Sequence, residues 1–216
     1  MRHTVRPIVP AALLLATLAC SSHPRPVAPP PVMIPPQIDL KDREVIGVID
    51  FDSAGRGSLG PMATRKFTDL ARRDQGLVRF VSLGPTAEVL RAIGRTTLDQ
   101  AALMEIGKQR HVQTIVMGTV KMSNVKPNLR VASDLKAAGM NAQVRATLDV
   151  QMVEAATGAS LWNASTSATE SLGDVAVVGG SGLTLGHDDP DRAYGNLVDN
   201  LVEQATRPFR ASWERR

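Results

Sequence analysis

Between residues 97 and 120 the apolar positions change period from that of a helix to that of a strand. Leu98, Ala102 and Ile106 recur at helical spacing, joined by Ala101, while Asp99, Gln100, Glu105 and Gln109 fall mostly off that stripe. Thr97 and Gln100 have capping-box spacing, and Lys108 and Arg110 stand in the last turn, where positive charge suits the helix dipole. From Val112 to Val120 both alternating faces are apolar. Val112, Val116 and Val120 fall on one, Ile115 and Met117 on the other. A two-sided apolar run of this length predicts a strand covered on both faces, in the middle of a sheet. The helix and strand together are the unit on which the rest of the chain should pack.

Upstream, Glu44–Phe51 reads as a buried strand, and Pro61 opens a helix with Ala63, Phe67, Leu70 and Ala71 inward. Arg65, Lys66, Arg72 and Arg73 lie largely on its outer side. Val78–Leu83 is a second strand, and Thr86–Ile93 is a short helix ended by Gly94. Downstream, Asn141–Val153 alternates strictly. Ala142, Val144, Ala146, Leu148, Val150 and Met152 face one way, with Gln143, Arg145, Thr147, Asp149 and Gln151 opposite. Thr157-Gly158 marks a turn into a strand over Ser160–Ser167, giving an antiparallel hairpin. Glu170–Asp188 is glycine-rich and reads as irregular. Asp189-Pro190 then starts a helix with Tyr194, Leu197, Val198, Leu201, Val202 and Ala205 on one stripe, and Pro208 ends or kinks it. The expected fold is therefore α/β and a single domain. A mixed sheet with helices packed on it runs β-α-β-α-α-β, followed by an antiparallel hairpin and a C-terminal helix.

Weaker alternation runs from 124 to 144. Val125, Leu129, Val131 and Leu135 are apolar, and Asn124, Lys126, Asn128, Arg130 and Asp134 are polar. The pattern resumes on Met140, Ala142 and Val144. This predicts a hairpin projecting beside the sheet, with Val125, Arg130, Leu135 and Met140 as candidate partner-binding residues. A membrane-crossing hairpin is the competing reading, and it needs about 9 to 11 residues per crossing. Pro127 and Ser133 interrupt the apolar side, and no aromatic residue lies between Lys121 and Leu161 to build an interfacial girdle. A second crossing hairpin would have to come from Glu170–Asp188, whose apolar arms, Val175–Val178 and Leu183–Leu185, are too short.

The N-terminus changes the picture. Arg2 and Arg6 precede an apolar stretch, Ile8–Ala19, which is too short to span a bilayer and ends in Thr17-Leu18-Ala19-Cys20. Residues 1–19 read as an export signal. Cys20 is the single cysteine of the 216 residues, so no intrachain disulfide can form. The stretch Ser21–Ile38 holds half of the 14 prolines and should be extended and semi-rigid. Residues 20–40 are thus a tether and 41–216 the globular domain. The formal charge is +4; without Arg2 and Arg6 it is 23 basic against 21 acidic side chains, a balance that does not call for nucleic acid. Aromatics are 3%, which predicts an aliphatic core.

Candidate chemistry is thin. Gly55-Arg56-Gly57-Ser58-Leu59-Gly60 is a literal G-x-G-x-x-G between a strand and a helix. The acid expected about 20 residues on is missing, because that position falls in Arg79–Ser82. A plain turn accounts for the glycines, and a nucleotide-using enzyme remains a remote alternative. His3, His23, His111 and His187 are far apart and lack metal-ligand spacing. Asp188, Asp189 and Asp191 are explained by helix capping. No catalytic residue, metal ligand or cofactor is expected, and the chain reads as a non-enzyme.

Two segments carry a family resemblance. Glu105–Val120, E-I-G-K-Q-R-H-V-Q-T-I-V-M-G-T-V, and Val153–Trp162, V-E-A-A-T-G-A-S-L-W, resemble the CsgG/LpoB-like outer-membrane lipoproteins, with PelC-like relatives, over roughly residues 44–209 excluding the loop after Glu170. The signal resembles that of bacterial lipoproteins, which makes Cys20 the lipidated first residue. Ser21 in place of aspartate resembles those sorted to the outer membrane. The resemblance implies a non-enzymatic envelope protein, lipid-anchored with its domain in the periplasm. LpoB-like members bind and regulate a cell-wall synthase, which would make a penicillin-binding protein the partner. CsgG- and PelC-like members self-associate into rings that secrete curli-type protein or polysaccharide.

Overall fold

The computed structural model describes residues 30–53, 58–123, 126–131, 138–178, 182–185 and 190–214. β1 (Val32–Ile34) comes first. Then β2 (Val45–Ile49), α1 (Leu59–Ala71), β3 (Arg79–Gly84), α2 (Thr86–Ala92), α3 (Gln100–Arg110) and β4 (Thr114–Met122) form the β-α-β-α-α-β half. β5 (Lys126–Val131), β6 (Ala138–Glu154), β7 (Ser160–Val178) and β8 (Gly182–Leu185) form an antiparallel half. α4 (Pro190–Thr206), a 3-10 turn (Arg207–Phe209) and β9 (Ser212–Glu214) complete the order. The main sheet runs β3-β2-β4-β6-β7-β8, with β5 added on β6, and β2 is parallel to both its neighbours. The α/β class, the mixed sheet and the element order are those expected from the sequence.

β4 lies between β2 and β6, and its two-sided apolar run has the expected cause. Val116 and Val120 pack with Phe67 of α1 and with Leu197 and Leu201 of α4. Ile115 packs on the other face with Leu103 and Ile106 of α3 and Val89 of α2. Each such fully buried aliphatic side chain contributes about 1.5–3 kcal/mol. α2 and α3 cover the β3–β2–β4 end of their face and reach Val153 at the end of β6. Further along, β6 and β7 present the polar residues Gln151, Asn163 and Ser165 there, which matches the one-sided alternation of Asn141–Val153.

Several expectations are corrected. Asp99, not Thr97, caps α3: its side chain accepts from the Ala102 amide at 2.8 Å. Ala101 is exposed and Leu103 takes its place inward. Val112 precedes β4 and packs with Ile115 rather than Val116, because His111 ends α3 in a left-handed conformation (φ 52°) that redirects the chain. The core is not wholly aliphatic. Phe67 sits 5.5 Å from Phe51, 6.1 Å from Phe209 and 6.3 Å from Trp162 between ring centroids. The few aromatics are concentrated where α1, β7 and the 3-10 turn meet. Glu170–Asp188 is not irregular throughout: β7 continues to Val178 and pairs with β8.

The N-terminal segment is joined to the domain. β1 pairs antiparallel with β9, forming a separate two-stranded ribbon. Below it, the Ile38 amide donates to the Pro208 carbonyl at 2.9 Å, and Leu40 is buried in the core. Gln75, in the turn after α1, holds this junction. Its Oε1 accepts from the Leu40 amide at 2.7 Å, and its Nε2 donates to the carbonyls of Ile38 (2.8 Å) and Phe209 (2.6 Å).

Candidate functional site

The feature that stands apart from the core is an arm at one end of the sheet. β6 is 17 residues long and β7 19, far longer than the 9 of β4. β4 pairs with β6 only as far as Met122↔Ala146, and β5 then takes over the same edge of β6 from Gln143 to Ala138. β7 and β8 continue on the other side. The result is a four-stranded sheet, β5-β6-β7-β8, that runs past the end of β4 by about 25 Å at 3.3 Å per residue.

Its register places apolar residues in rows. Leu129, Met140, Val175 and Leu185 are successive partners across all four strands. Val177 pairs with Leu183, Pro127 with Ala142 and Val131 with Ala138. Positions two apart on a strand share a face, so these residues belong to one face. On β6 it is the same face as the core residues Val144, Ala146 and Leu148. The opposite face carries Lys126, Asn128, Arg130, Asn141 and Asp174. A bulge makes this continuity possible. Asn141 opposes Asp174 and Gln143 opposes Ser171, so β7 gains one residue and its apolar parity shifts from even to odd.

Two of the four candidate partner-binding residues fall in this arm. Met140 pairs with Leu129, and Arg130 pairs with Gly139, one step along on the other face. Val125 and Leu135 lie outside the described residues, as do the signal segment 1–19, Cys20, Asp188 and Asp189. The expected projecting hairpin is present. The sequence reading missed that a second hairpin, β7–β8, lies beside it in register.

The G-x-G-x-x-G has a structural explanation. Gly55, Arg56 and Gly57 lie outside the described residues, whereas Leu59 and Gly60 form the first turn of α1. A Cβ on Gly60 would lie 1.9 Å from the Phe51 carbonyl oxygen, so this glycine lets α1 start against the end of β2. Thr64 fixes the same junction, accepting from the Phe51 amide at 2.7 Å and donating to the Gly60 carbonyl at 2.9 Å. The cleft between the starts of α1 and α2 is lined by Asp50 and Asp52. Arg91 and Arg95 line the same cleft, so two carboxylates face two guanidinium groups and the cleft carries no net charge that singles out a phosphate.

A second cleft, of about 550 Å³, continues from Asp50 and Asp52 across the polar face to Asp149, Gln151, Asn163 and Ser165. Asp149 accepts from the Ser165 hydroxyl at 2.6 Å and from Lys121 Nζ at 2.9 Å. These two bonds hold its carboxyl below the usual carboxylate range, the Ser165 bond contributing most. Among the described residues no group of three His, Cys, Asp or Glu side chains is placed to hold a metal ion.

No family model and no curated protein matches the chain. Solved structures do. A PelC dodecamer from Paraburkholderia phytofirmans is 9% identical, with a TM-score of 0.39 over 80% of this chain and 95% of that one. Lipoprotein GNA1162 from Neisseria meningitidis is 14% identical, with a TM-score of 0.41 over 74% and 96%. The LpoB C-terminal domain from Escherichia coli is 13% identical, with a TM-score of 0.36 over 58% and 82%. This chain is similar to them in fold. The similar structures thus include PelC and LpoB, two of the names to which the sequence motifs pointed, and a lipoprotein. What each of those proteins assembles into or binds is a property of that protein.

Proposed function

We propose that this chain is a non-enzymatic envelope lipoprotein, anchored through Cys20 to the outer membrane, whose β5–β8 arm docks a protein partner in the periplasm. The observation that carries the reading is the arm itself. It extends the sheet past the end of β4 and arrays Leu129, Met140, Val175 and Leu185 in one row. Such a row on an edge-bearing sheet suits recognition by strand addition or by an apolar groove. By its resemblance to LpoB-like members, the partner is a penicillin-binding protein and the role is control of peptidoglycan synthesis. Deleting residues 125–140 removes β5 and the first three residues of β6 but leaves the β4–β6 register over 146–154 intact. That variant should melt like the parent and lose binding to a purified bifunctional penicillin-binding protein. Unchanged binding would overturn the reading.

A second reading is a CsgG- or PelC-like ring for secretion of curli-type protein or of polysaccharide, with arms that enter the membrane in its CsgG-like form. The one-sided apolar pattern of the arm favours it. Against it, Pro127 and Ser133 interrupt the apolar side of the first hairpin, and no aromatic residue lies between Lys121 and Leu161 to build an interfacial girdle. Mass measurement of the detergent-solubilised lipoprotein separates monomer from ring. Single-channel steps in planar bilayers that vanish on deleting 125–140 would establish the pore.

A further inference from the structure

β5 and β8 are the outer strands of the arm, and among the described residues no strand pairs beyond either. Their backbones offer different edges. In an antiparallel ladder a residue points its N–H and C=O to one side, and successive residues alternate sides. Pro127 has no N–H to give, and it stands inside a regular register from Lys126↔Gln143 to Val131↔Ala138. Lys126, Asn128 and Arg130 therefore bond to β6, and Pro127, Leu129 and Val131 point to the open side. A bond on β6 fixes the same phase independently. The Ser123 amide donates to the Arg145 carbonyl at 2.8 Å, so odd-numbered β6 residues bond toward β4 and β5 and even-numbered ones toward β7. Met140 thus bonds to its partner Val175. Val175 is then turned away from β8, and its partner Leu185 points its own N–H and C=O to the open side, as does Leu183.

The two edges differ in what they admit. β5 has a gap at Pro127 where a donor should stand, and Lys126 and Arg130 are among its six residues. Proline and charge are the means by which a sheet edge is closed to further pairing. β8, Gly182–Leu185, has neither, and Leu183 and Leu185 present a donor and an acceptor each without interruption. We propose that the partner docks by laying an extended segment, apolar at every second position, along the free edge of β8. Strand addition here rests on the reading of the arm as the docking element, and it replaces insertion into an apolar groove. The alternation required of the partner follows from the row of Leu129, Met140, Val175 and Leu185. These lie on one face across four strands, and a fifth strand continues that face only with apolar residues at matching positions.

The test uses the full lipidated chain, isotope-labelled and held in nanodiscs, with a blocked heptapeptide of alternating threonine and valine as the probe strand. At about 1 mM peptide, amide hydrogen exchange at Leu183 and Leu185 should slow by about tenfold or more, while exchange at Leu129 and Val131 stays as it was. Leu183→Pro removes one outward donor and spares the bonds of Thr184 to β7, so it should abolish the slowing at Leu185. Leu129→Pro, the same change on the other edge, should leave the slowing intact. The Thr184 amide reports whether β8 is still in place, and if it loses its own protection in Leu183→Pro, the exchange pattern of the parent decides alone. No slowing at Leu183 and Leu185 in the parent, or equal slowing at Leu129 and Val131, overturns the proposal. Slowing that exists without peptide and vanishes on diluting the protein assigns the edge to a second copy and also overturns it. Against the purified bifunctional penicillin-binding protein, Leu183→Pro should bind about tenfold or more weaker than the parent. Unchanged affinity overturns β8 as the docking edge. A parent that does not bind refutes that choice of partner, and the peptide exchange then decides for β8 by itself.

Discussion

Gln75→Ala tests the junction on which the attachment of the N-terminal segment depends. Gln75 is 1% exposed, and its amide makes three hydrogen bonds, to Leu40, Ile38 and Phe209. Each contributes roughly 0.5–1.5 kcal/mol net, and their loss strands one N–H and two carbonyls. The N-terminal segment could instead peel off and let water reach these groups. It would then forfeit the burial of Leu40, worth about 1.5–3 kcal/mol. Either route predicts a loss of about 3 kcal/mol, a large part of a margin of roughly 5–15 kcal/mol. Urea melts at pH 7.5 measure it, and a midpoint shift worth under about 0.5 kcal/mol would refute the reasoning. Gln75→Glu sharpens the test. A carboxylate can accept from Leu40 but faces two carbonyls to which it cannot donate. Burial and those carbonyls raise its folded pKa above the unfolded value of about 4.3. The contribution of the protonated form is then complete below that value and is lost as pH rises through the raised folded pKa. Relative to the parent, this variant should be most stable near pH 4 and least above neutrality. A difference that is flat with pH would mean that position 75 is open to water.

Gly60→Ala forces a Cβ onto the Phe51 carbonyl and should destabilise by several kcal/mol, on the order of a severe core overpacking; a normal thermal melt would return the glycine to the status of a plain turn. Ile115→Asp and Val116→Asp each bury an unpaired charge, on opposite faces of β4, and should leave insoluble or unfolded protein. A well-folded variant at either position would show that its face of the sheet is uncovered. Asp149 is held low by Ser165 and then Lys121, so its contribution is complete above the unfolded value of about 3.9 and is lost as pH falls through the folded value. Ser165→Ala should raise the Asp149 midpoint in a carboxyl carbon NMR titration, and an unmoved midpoint would refute the assignment.

The parts of the fold that could be read from the sequence are those set by short-range period. Ile115 and Val116 point to a covered central strand because adjacent apolar residues on a strand need cover on both faces. The inward set of α4 follows from spacing alone. What was not legible depends on partners distant in sequence. Thr97 and Asp99 are both competent caps by type, and only the extended backbone at Asp99 decides between them. The second half of β7 was hidden because its bulge shifts the apolar parity between Ala168 and Val175, so no single alternation spans the strand. Gln75 looks like a polar turn residue until Leu40, Ile38 and Phe209 converge on it. The ribbon of β1 and β9 joins residues near opposite ends of the chain, and no local pattern can announce it. Of the candidate site, the first hairpin was readable from alternation. Its union with β8 through β7 was not.

The way the ends are joined also decides how the molecule carries mechanical load. A pull applied to the N-terminal segment enters at Val32 and meets first the short Val32–Ile34 pairing, whose first bonded pair lies opposite Glu214. Beyond it the force passes to the Ile38–Pro208 bond and the Gln75 clasp, and only then to β2. The ribbon therefore acts as a fuse in series with the sheet. Tension on that segment would unzip a few exposed bonds before it strained the core, lengthening the free segment by a few residues while β5–β8 keep their register.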